Sequence, residues 1–344
     1  MKSKNHILVI RLSAMGDVAM LVPVLRVLVD TYPNIQVTIL TKPFFKPLFS
    51  ALKNVSVIGA DVKGKHKGVF GILNLSKEVK ILGISCVADT HNVLRSKLLR
   101  FFLWFSGIKN ASIDKGRAEK KALVNANGNP ISQLKKTHQR YADVFKKLGY
   151  PIALSKHQYP GRERLSLPLQ EIVGKLPKKL IGIAPFAAHE GKMYPLPLMK
   201  EVIEDLDATG KFKIFLFGGG KKEILQLDRL AGSFNDVQNV AGKLSFEEEL
   251  ALISNLDVML AMDSGNGHLA ALYDIPVVTL WGVTHPYAGF IPFNQPNSNQ
   301  LVADRDQFPL VPTSIYGNKY PTGYEKSIAS IPARLVVEKV LEVV

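Results

Sequence analysis

The hydrophobic pattern of the first half alternates short apolar runs with longer amphipathic stretches. Residues 6–11 form an apolar run that predicts a strand, and residues 17–32 have the 3.6-residue periodicity of a helix. Three further short strands are predicted at 36–40, 55–59 and 84–89. Buried strands that alternate with helices are typical of βαβ units, so this half predicts a parallel sheet.

The second half repeats this alternation. The pattern predicts an α/β fold with two Rossmann-like halves. Residues 284–330 are rich in Pro, Gly, Asn and Tyr and have little periodicity, which indicates a long structured loop of the kind that often carries function. The predicted strands are 180–185, 213–217, 258–262 and 277–281, and the predicted helices are 197–209, 246–255 and 268–273.

The join between the halves is expected near residues 157–168 and 174–179, where the chain is polar and contains Pro and Gly. We therefore predict a first domain at 1–165 and a second domain at 178–327. Residues 328–344 are predicted to form a terminal helix, for which packing back on the first domain is one arrangement.

The composition indicates an ordinary globular protein. The chain has 344 residues, of which 47% are hydrophobic and 21% charged, and this length exceeds the usual size of one hydrophobic core. The one cysteine, Cys86, excludes an intramolecular disulfide and suits a reducing compartment. No apolar stretch reaches the ~20 residues of a membrane-spanning helix, and the run at 7–10 is too short for the core of a signal peptide. We therefore expect a cytoplasmic protein.

The positive charge is concentrated in the first half. Residues 1–177 carry 29 Lys and Arg against 10 Asp and Glu, a balance of +19, whereas residues 178–344 carry 15 against 19, a balance of −4. This asymmetry suits an anionic partner such as nucleic acid, an anionic membrane surface or a phosphorylated substrate. A basic surface with no particular partner fits equally well.

A turn of small residues follows the strand predicted at 258–262. Small residues allow backbone N–H groups and the positive end of a helix to approach an anion closely, which suits a phosphate or a diphosphate. The alternative is a tight turn in which the acidic residue caps the helix. The turn consists of Asp263, Ser264, Gly265, Asn266 and Gly267.

A second small-residue turn, FGGGKKE at 217–223, follows another predicted strand. Two such turns in one half favour a nucleotide crevice, because open α/β sheets bind ligands at the carboxyl ends of their strands. Neither turn matches a Walker A loop, a G-x-G-x-x-G fingerprint or a hydrolase elbow, so the usual kinases, ATPases and dehydrogenases lack support. Asp304 and Asp306 could hold a metal, although two such acids in a loop more often form a solvated turn.

Two charged residues follow predicted strands. Asp17 comes after a Ser-Ala-Met-Gly loop and stands before the first helix, so either a helix cap or a carboxylate placed for chemistry explains it. Lys192 lies in the loop after the strand at 180–185. It either reaches a phosphate as a point charge, with Tyr194 packed beside it, or is a solvated lysine. The residues alone leave both alternatives open.

Six motifs occur in order over most of the chain: RLSAMGDV (11–18), VADTHNVLRSKLL (87–99), HQRYADVFKKLG (138–149), APFAAHEGKMYP (184–195), GKLSFEEELALI (242–253) and MDSGNGHLAA (262–271). Together they resemble glycosyltransferase family 9, the ADP-heptose:lipopolysaccharide heptosyltransferases. The resemblance implies a fold of the glycosyltransferase B type, with two Rossmann-like domains facing a cleft. It places the acceptor on the first domain and the nucleotide sugar on the second.

The resemblance implies an inverting glycosyltransferase that moves heptose from ADP-heptose to a lipopolysaccharide inner-core acceptor, with no metal and no cofactor. Asp17 matches the aspartate that serves the family as general base. Lys192 and the backbone amides of 264–268 would stabilise the departing ADP. The implied partners are the nucleotide sugar and the anionic core and lipid A, at the cytoplasmic face of the inner membrane. No nucleic acid is expected, and no nucleic-acid motif is visible.

The resemblance also assigns binding residues. Tyr194 departs from the family's usual tryptophan, and the loop at 284–330 is longer than in the heptosyltransferases. These departures leave open another nucleotide sugar, such as a UDP- or ADP-hexose; a non-catalytic polyanion-binding protein is the remaining alternative. The nucleotide would contact Gly218, Gly219, Glu223 at the ribose, Leu244 at the adenine, Asp263, Ser264, Gly265, Asn266, Gly267 and His268, and the acceptor would contact Gly16, Arg95, Arg117 and Arg140.

The stretch RSKLLRFFLWFSGIK at 95–109 mixes basic and aromatic residues. An amphipathic helix in peripheral contact with a membrane has this composition. The five consecutive apolar residues at 101–105 cover more than one face of a helix, which favours instead a helix buried on the sheet of the first domain.

Overall fold

The computed structural model describes residues 5–174 and 178–344. The helices along this part of the chain are α1 (Met15–Ala19), α2 (Leu21–Thr31), α3 (Gly68–Ile81), α4 (Leu94–Trp104), α5 (Arg117–Val124), α6 (Thr137–Leu148), α7 (Leu167–Val173), α8 (Leu196–Ala208), α9 (Lys221–Ala231), α10 (Phe246–Ser254), α11 (Gly265–Ala270) and α12 (Ala333–Val343). The strands are β1 (His6–Ile10), β2 (Gln36–Thr41), β3 (Val55–Gly59), β4 (Cys86–Asp89), β5 (Lys109–Ser112), β6 (Lys179–Ala184), β7 (Phe212–Leu216), β8 (Val237–Asn239), β9 (Val258–Met262), β10 (Val277–Trp281) and β11 (Gln300–Val302).

The chain divides into two compact units, each of which has the predicted α/β architecture. The first unit runs to Lys115 and includes Thr137–Gln158, and the second comprises Gly116–Lys136 and Tyr159–Val344. The segment at 116–136 therefore belongs with the second unit, which the sequence did not reveal because contacts rather than composition define it. Part of the linker predicted at 174–179 lies outside the described residues.

The described strands of the first unit form one parallel sheet in the order β3-β2-β1-β4-β5. The central strand β1 is buried throughout, with Ile7 opposite both Val37 of β2 and Cys86 of β4. The chain leaves β1 towards β2 and later returns to the other side of β1 as β4. The carboxyl ends of β1 and β4, where Ile10 lies opposite Asp89, therefore form a topological switch point, which is the usual ligand-binding place in such sheets.

Two helices replace the single helix predicted at 17–32. The first, α1, ends at Ala19, and the second, α2, begins at Leu21. Pro23 explains the break, because it has no N–H to bond the carbonyl of Ala19 and its ring crowds that carbonyl. The helix also begins earlier than predicted, so Asp17 lies inside its first turn instead of before it.

The α4 helix is half buried. Leu99 and Leu103 pack into the core of the first unit, while Phe101 and Trp104 are exposed, as is Phe105 just after the helix. The burial favoured for 101–105 is therefore wrong for three of these five residues, because the helix turns only one face to the sheet. None of the helices in the described part of the chain combines the length and the apolar character that crossing a bilayer requires.

The described strands of the second unit form a parallel sheet in the order β11-β10-β9-β6-β7-β8. The strands predicted at 258–262 and 277–281 match β9 and β10 residue for residue, whereas those at 180–185 and 213–217 begin and end one residue early. At the centre β6 lies beside β9, with the chain continuing from β6 to β7 on one side and from β9 to β10 on the other. The carboxyl ends of β6 and β9 thus form the switch point of this sheet.

The helix predicted at 268–273 begins three residues early, at Gly265, and ends in a 3-10 turn at Ala271–Tyr273. Gly267 allows this, because a β-carbon at that position would lie 3.2 Å from Val277 and 3.5 Å from Ala261. The helix therefore packs closely on β9 and β10, and the residues predicted as a turn form its first turn.

The terminal helix α12 packs within the second unit. Its residues Val336 and Val340 belong to the same core cluster as Met199 of α8. Tyr194 is fully buried in this cluster, and its hydroxyl donates a 2.7 Å hydrogen bond to the carbonyl of Ile331, just before α12. Tyr194 therefore helps to anchor this helix in the core of the second unit.

Candidate active site

Asp17 lies close to the carboxyl end of β1. Its Oδ2 accepts a hydrogen bond from the N–H of Ala14 at 3.3 Å, so the carboxylate does cap α1. A negative charge is favourable there, because the helix dipole is positive at this end. The side chain is nevertheless 29% exposed. The cap and the chemical role are therefore compatible, since a substrate can still reach the carboxylate.

Arg11 forms an ion pair with Asp17 and is only 7% exposed. Its Nη1 donates to the carbonyl of Thr90 at 2.7 Å, and its guanidinium carbon lies 5.8 Å from the ring centre of Tyr141. The hydroxyl of Tyr141 in turn donates to the backbone oxygen of Asp17 at 3.2 Å. A planar guanidinium held at several points fixes the direction of the carboxylate that it contacts.

The loop after β4 is held by the fully buried Asp89. Its Oδ1 accepts hydrogen bonds from the N–H groups of His91 at 3.0 Å and Asn92 at 2.7 Å. Its Oδ2 forms an ion pair with Arg100 Nε at 2.9 Å. These contacts fix the loop next to Arg11, whose Nη1 bonds to Thr90 in the same loop.

His91 is a site residue that the sequence analysis missed, although the motif at 87–99 contained it. Its Nδ1 lies 3.4 Å from the N–H of Leu12. Burial, assisted by the positive charges of Arg11 and Lys115, lowers the pKa of His91 to about 4. The imidazole is therefore neutral near pH 7 and available for hydrogen bonding beside Asp17.

The four predicted acceptor contacts fall in different places. Gly16 lies in α1 beside Asp17. Arg95 is exposed at the start of α4, and it adds a small effect to the burial that lowers the pKa of His91. Arg140 is buried in α6, and Arg117 lies on α5 in the second unit. The first unit therefore groups Gly16 and Arg95 with Asp17, whereas Arg140 is enclosed.

Lys192 closes a 3-10 turn after β6 and is only 13% exposed. Its Nζ lies 3.0 Å from Oδ2 of Asp263, and the same oxygen accepts a 3.0 Å hydrogen bond from Thr284 Oγ1. Asp263 therefore holds Lys192 at the switch point of the second sheet. Ser264, and not Asp263, occupies the capping position of α11. Neither the solvated lysine nor the simple acidic cap describes these two side chains.

The loop predicted at 284–330 is structured, and part of it encloses Lys192. The N–H of Val283 donates to the carbonyl of Gly191 at 3.0 Å, and the N–H of Thr313 donates to the carbonyl of Val283 at 3.0 Å. Gly317 then passes so close that a β-carbon there would overlap Lys192 Cδ. The loop therefore sets the position of the ammonium group.

The first turn of α11 carries the remaining predicted phosphate contacts. The N–H groups at the start of a helix have no partners within it, so those of Gly265, Asn266 and Gly267 are available to an anion. The Oγ of Ser264 is buried with no hydrogen-bond partner among the described residues. Asn266 Nδ2 lies 3.4 Å from Glu249 Oε1, and His268 is buried.

Glu223, one of the predicted nucleotide contacts, stabilises the turn after β7. Oε2 of Glu223, in the first turn of α9, accepts a 2.8 Å hydrogen bond from the N–H of Gly219 and lies close to Gly218. Gly242, two residues before Leu244, packs over α9. The turn, Glu223 and Leu244 thus lie near the start of α9, at the carboxyl edge of the sheet.

Glu249 is a second residue that the sequence analysis missed. It lies on α10, and burial raises its pKa to about 7, against the opposing effect of the hydrogen bond from Asn266. Its side chain therefore carries at most part of a negative charge near the first turn of α11. The sequence gives only a weak indication that Glu249 belongs to the site, because Glu249 is one of three consecutive acids on a predicted helix.

Asp304 and Asp306 lie in a solvated turn, the more common of the two arrangements considered for them. Asp304 accepts hydrogen bonds from the N–H of Asp306 at 2.8 Å and from Gln307 Nε2 at 2.7 Å. These bonds lower the pKa of Asp304, the backbone bond from Asp306 being the largest cause. The Asp304 carboxylate therefore stabilises the turn.

The chain matches known proteins in sequence. A family model described as glycosyltransferase family 9 (heptosyltransferase) matches residues 72–312. The lipopolysaccharide core heptosyltransferase OpsX of Haemophilus influenzae is 24% identical over 301 residues, which are 83% of this chain and 81% of that protein. The resemblance predicted from the six motifs is therefore confirmed.

The chain also shares its fold with solved structures. The glycosyl transferase family 9 protein of Veillonella parvula aligns with a TM-score of 0.76 and 18% identity, over 100% of this chain and 98% of its own. The Escherichia coli heptosyltransferase WaaC with ADP aligns with a TM-score of 0.69 and 19% identity, over 98% of this chain and 100% of its own. At these identities the likeness is one of fold.

Proposed function

The chain belongs to glycosyltransferase family 9, and from that premise we propose that it transfers heptose from ADP-heptose to a lipopolysaccharide inner-core acceptor. The transfer inverts the anomeric carbon and uses no metal. The observation that carries this proposal is the Asp17 carboxylate, which is oriented by Arg11, partly exposed and at the switch point of the first sheet. A general base has to combine such access with a fixed direction.

The second unit supplies the donor site in this proposal. Lys192 has three N–H donors, of which Asp263 occupies one, so two remain for a diphosphate. The N–H groups of Gly265, Asn266 and Gly267 and the hydroxyl of Ser264 add further donors. These features support a diphosphate ligand. The Escherichia coli relative solved with ADP supports adenosine as its nucleoside.

The proposed reaction is a single displacement. The acceptor hydroxyl attacks the anomeric carbon of the heptose on the face opposite ADP, and Asp17 takes the hydroxyl proton as the new carbon–oxygen bond forms. The bond between the anomeric carbon and the β-phosphate oxygen breaks, and ADP leaves with the electron pair. Asp17 has to come within about 2.6–3.2 Å of the hydroxyl oxygen.

The departing ADP gathers negative charge, and donors fixed before the reaction stabilise such charge most effectively. In this proposal Lys192 supplies a full positive charge, and the α11 N–H groups supply partial ones. Glu249 does not oppose them strongly, because its raised pKa leaves it partly protonated near pH 7. These groups take the part that a divalent metal plays in other glycosyltransferases.

The first unit binds the acceptor in this proposal. It carries 21 Lys and Arg against 7 Asp and Glu, an excess that suits the phosphorylated core and lipid A. Arg95, which is exposed and close enough to His91 to affect its pKa, is a basic residue that can meet an anionic group of the acceptor. The acceptor of such an enzyme is a membrane glycolipid, so we place the reaction at the cytoplasmic face of the inner membrane.

Titration calorimetry with ADP, UDP, GDP and CMP, each with magnesium and with EDTA, tests the donor site. We expect selective binding of ADP that EDTA does not change. Preference for UDP would retain a glycosyltransferase but contradict ADP-heptose as its donor. Binding of no nucleotide would contradict the proposed enzyme and favour the polyanion-binding alternative.

A further inference from the structure

The outward face of α4 carries large apolar side chains. Leu94, Lys97, Phe101 and Trp104 recur at intervals of three and four residues, so they share one face of the helix. Leu94 is 84% exposed and Trp104 is 60% exposed, whereas Leu103 on the opposite face packs into the core. A surface helix of a globular protein normally presents polar residues where α4 presents this stripe.

The neighbouring helix α3 has the same character. Its inward residues, such as Leu75 and Val79, share one core cluster with those of α4, so the two helices lie on the same side of the sheet. Phe70 is 83% exposed and Ile81 is 85% exposed, with Lys77 between them on the helix surface. The two helices thus combine exposed apolar side chains with lysines.

An apolar groove of about 410 Å³ lies between the first turns of the two helices. Its lining includes Val69 and Leu94, which are both exposed, and Arg95 is its one charged lining residue. The groove continues the apolar surface towards the loop that holds His91. It is lined by Gly68, Val69, Ile72, Val93, Leu94, Arg95 and Leu98.

The charge of this region indicates what would cover it. Residues 61–109 contain nine Lys and Arg against three Asp and Glu. All three acids have partners: Asp61 accepts from backbone N–H groups, Glu78 pairs with Lys65, and Asp89 pairs with Arg100. A second copy of this chain would bring like charges together, whereas an anionic lipid surface complements both the lysines and the apolar residues.

We propose that the outward faces of α3 and α4 bind the surface of an anionic lipid bilayer. This lipid-binding face comprises Val69, Phe70, Lys77, Ile81, Leu94, Lys97, Phe101, Trp104 and Phe105. The aromatic residues enter the interface between headgroups and acyl chains, and the lysines contact anionic headgroups. The inference rests on the proposed function in one respect, because a lipid acceptor gives the face its purpose next to the site of Asp17.

Trp104 provides a direct probe of this contact. The chain has two tryptophans, and the other, Trp281, is buried and donates a hydrogen bond to Gln300. We expect vesicles of phosphatidylcholine with phosphatidylglycerol to shift the emission of Trp104 to shorter wavelength and to protect it from acrylamide. Vesicles of phosphatidylcholine alone should have much less effect. A Trp281→Phe background assigns the signal to Trp104.

Paired variants test the surface by vesicle flotation. We expect Phe101→Ser with Phe70→Ser to weaken binding to the anionic vesicles about tenfold or more, since each side chain loses a favourable apolar transfer. Lys77→Glu with Lys97→Glu should weaken it about as much and reduce its salt dependence. Leu225→Ser with Leu335→Ser, at exposed apolar positions of α9 and α12, is the matched control and should bind as the native chain does.

A transfer assay separates this inference from the proposed function. The face variants should lose transfer to an acceptor presented in vesicles and keep transfer to the same acceptor in detergent micelles. Asp17→Asn should instead bind vesicles fully and show little transfer to the acceptor in vesicles or in micelles. Vesicle binding without any heptose transfer would contradict the proposed function and leave the lipid-binding face supported.

Three results would overturn the inference. They are failure of the native chain to bind anionic vesicles, binding of the face variants as strong as that of the native chain, and unchanged emission of Trp104 in the presence of those vesicles. A native dimer in sedimentation that Phe101→Ser dissociates, together with no vesicle binding, would assign the same surface to self-association.

Discussion

At the scale of single residues, the Arg11–Asp17 ion pair is the candidate catalytic feature of the first unit. Replacing Asp17 with Asn keeps the size of the side chain and the helix-capping oxygen but removes the proposed base. We expect the turnover number for heptose transfer to fall by about 10²–10⁴, because general base catalysis contributes that much. The affinity for ADP should stay within about twofold, since the proposed nucleotide site lies in the second unit.

The matched control for this variant is Asp30→Asn, which changes an exposed acid on α2. It should leave turnover unchanged. Turnover of Asp17→Asn within about tenfold of the native rate would exclude Asp17 as the base.

Lys192 gives the corresponding prediction for the donor. Its ammonium is nearly buried and is held by Asp263, so Lys192→Ala removes a charged donor and leaves a buried carboxylate without its positive partner. We expect ADP to bind about 10–100-fold more weakly by calorimetry, and turnover to fall as well. Lys200→Ala, at an exposed position of α8, serves as the control. Equal ADP affinities in the two variants would remove Lys192 from the site.

The sequence could identify Asp17 and Lys192 as residues of interest but could not decide their roles. A cap and a base require the same residue type in the same place, and Asp17 proves to be a cap that remains accessible. His91 and Glu249 could not be found from residue types, because their altered pKa values arise from burial by distant parts of the chain.

At the scale of elements, the loop from β10 to α12 positions Lys192 through Gly317. This glycine has φ of +84° and leaves no room for a β-carbon beside Lys192. We expect Gly317→Ala to weaken ADP binding about tenfold or more by displacing the lysine. Gly323→Ala isolates the backbone effect, because Gly323 has φ of +91° and open space around it. Equal losses of ADP affinity in the two variants would contradict the positioning role.

The contact between α10 and α11 predicts a dependence of folding stability on pH. The pKa of Glu249 is raised from 4.5 to about 7, so between these values the folded state binds the proton and the unfolded state does not. The stability that this proton provides is therefore present below pH 4.5 and is lost as the pH rises through 7. Glu249→Gln should be the more stable protein at pH 8, by roughly 3 kcal/mol.

Urea unfolding at pH 5 and pH 8 measures this effect, and the gain of Glu249→Gln over the native chain should be much smaller at pH 5. Glu247→Gln, at an exposed position of the same helix, should show no such difference. A gain for Glu249→Gln that is the same at both pH values would contradict the assignment.

Most strands could be predicted from their apolar runs, because buried parallel strands need apolar residues on both faces. Helix ends were less predictable. The break between α1 and α2 follows from Pro23, so the sequence alone could have predicted it. The early start of α11 depends on Gly267 packing against Val277, and the exposure of α4 depends on what the rest of the chain covers. Local periodicity predicts neither the packing of Gly267 nor the exposure of α4.

At the scale of the whole molecule, the excess positive charge predicted for the first half remains with the first unit. Arg117, however, belongs to the second unit, because contacts assign the segment at 116–136 there. The order of residues along the chain therefore predicts the general distribution of charge. It assigns the segment at 116–136 to the wrong unit, because that segment packs with residues from the second half. The proposed acceptor site and its base lie in the first unit, and the proposed nucleotide-sugar site lies in the second.

The most direct test of this account is the rate of heptose transfer by the purified protein, with ADP-heptose and an inner-core lipid A acceptor, measured in EDTA. We expect turnover in EDTA equal to that with magnesium, inverted configuration at the new linkage, and loss of turnover in Asp17→Asn. No transfer from ADP-heptose under conditions where a UDP-hexose is transferred would contradict the heptose donor. A requirement for magnesium would contradict the roles given to Lys192 and the start of α11.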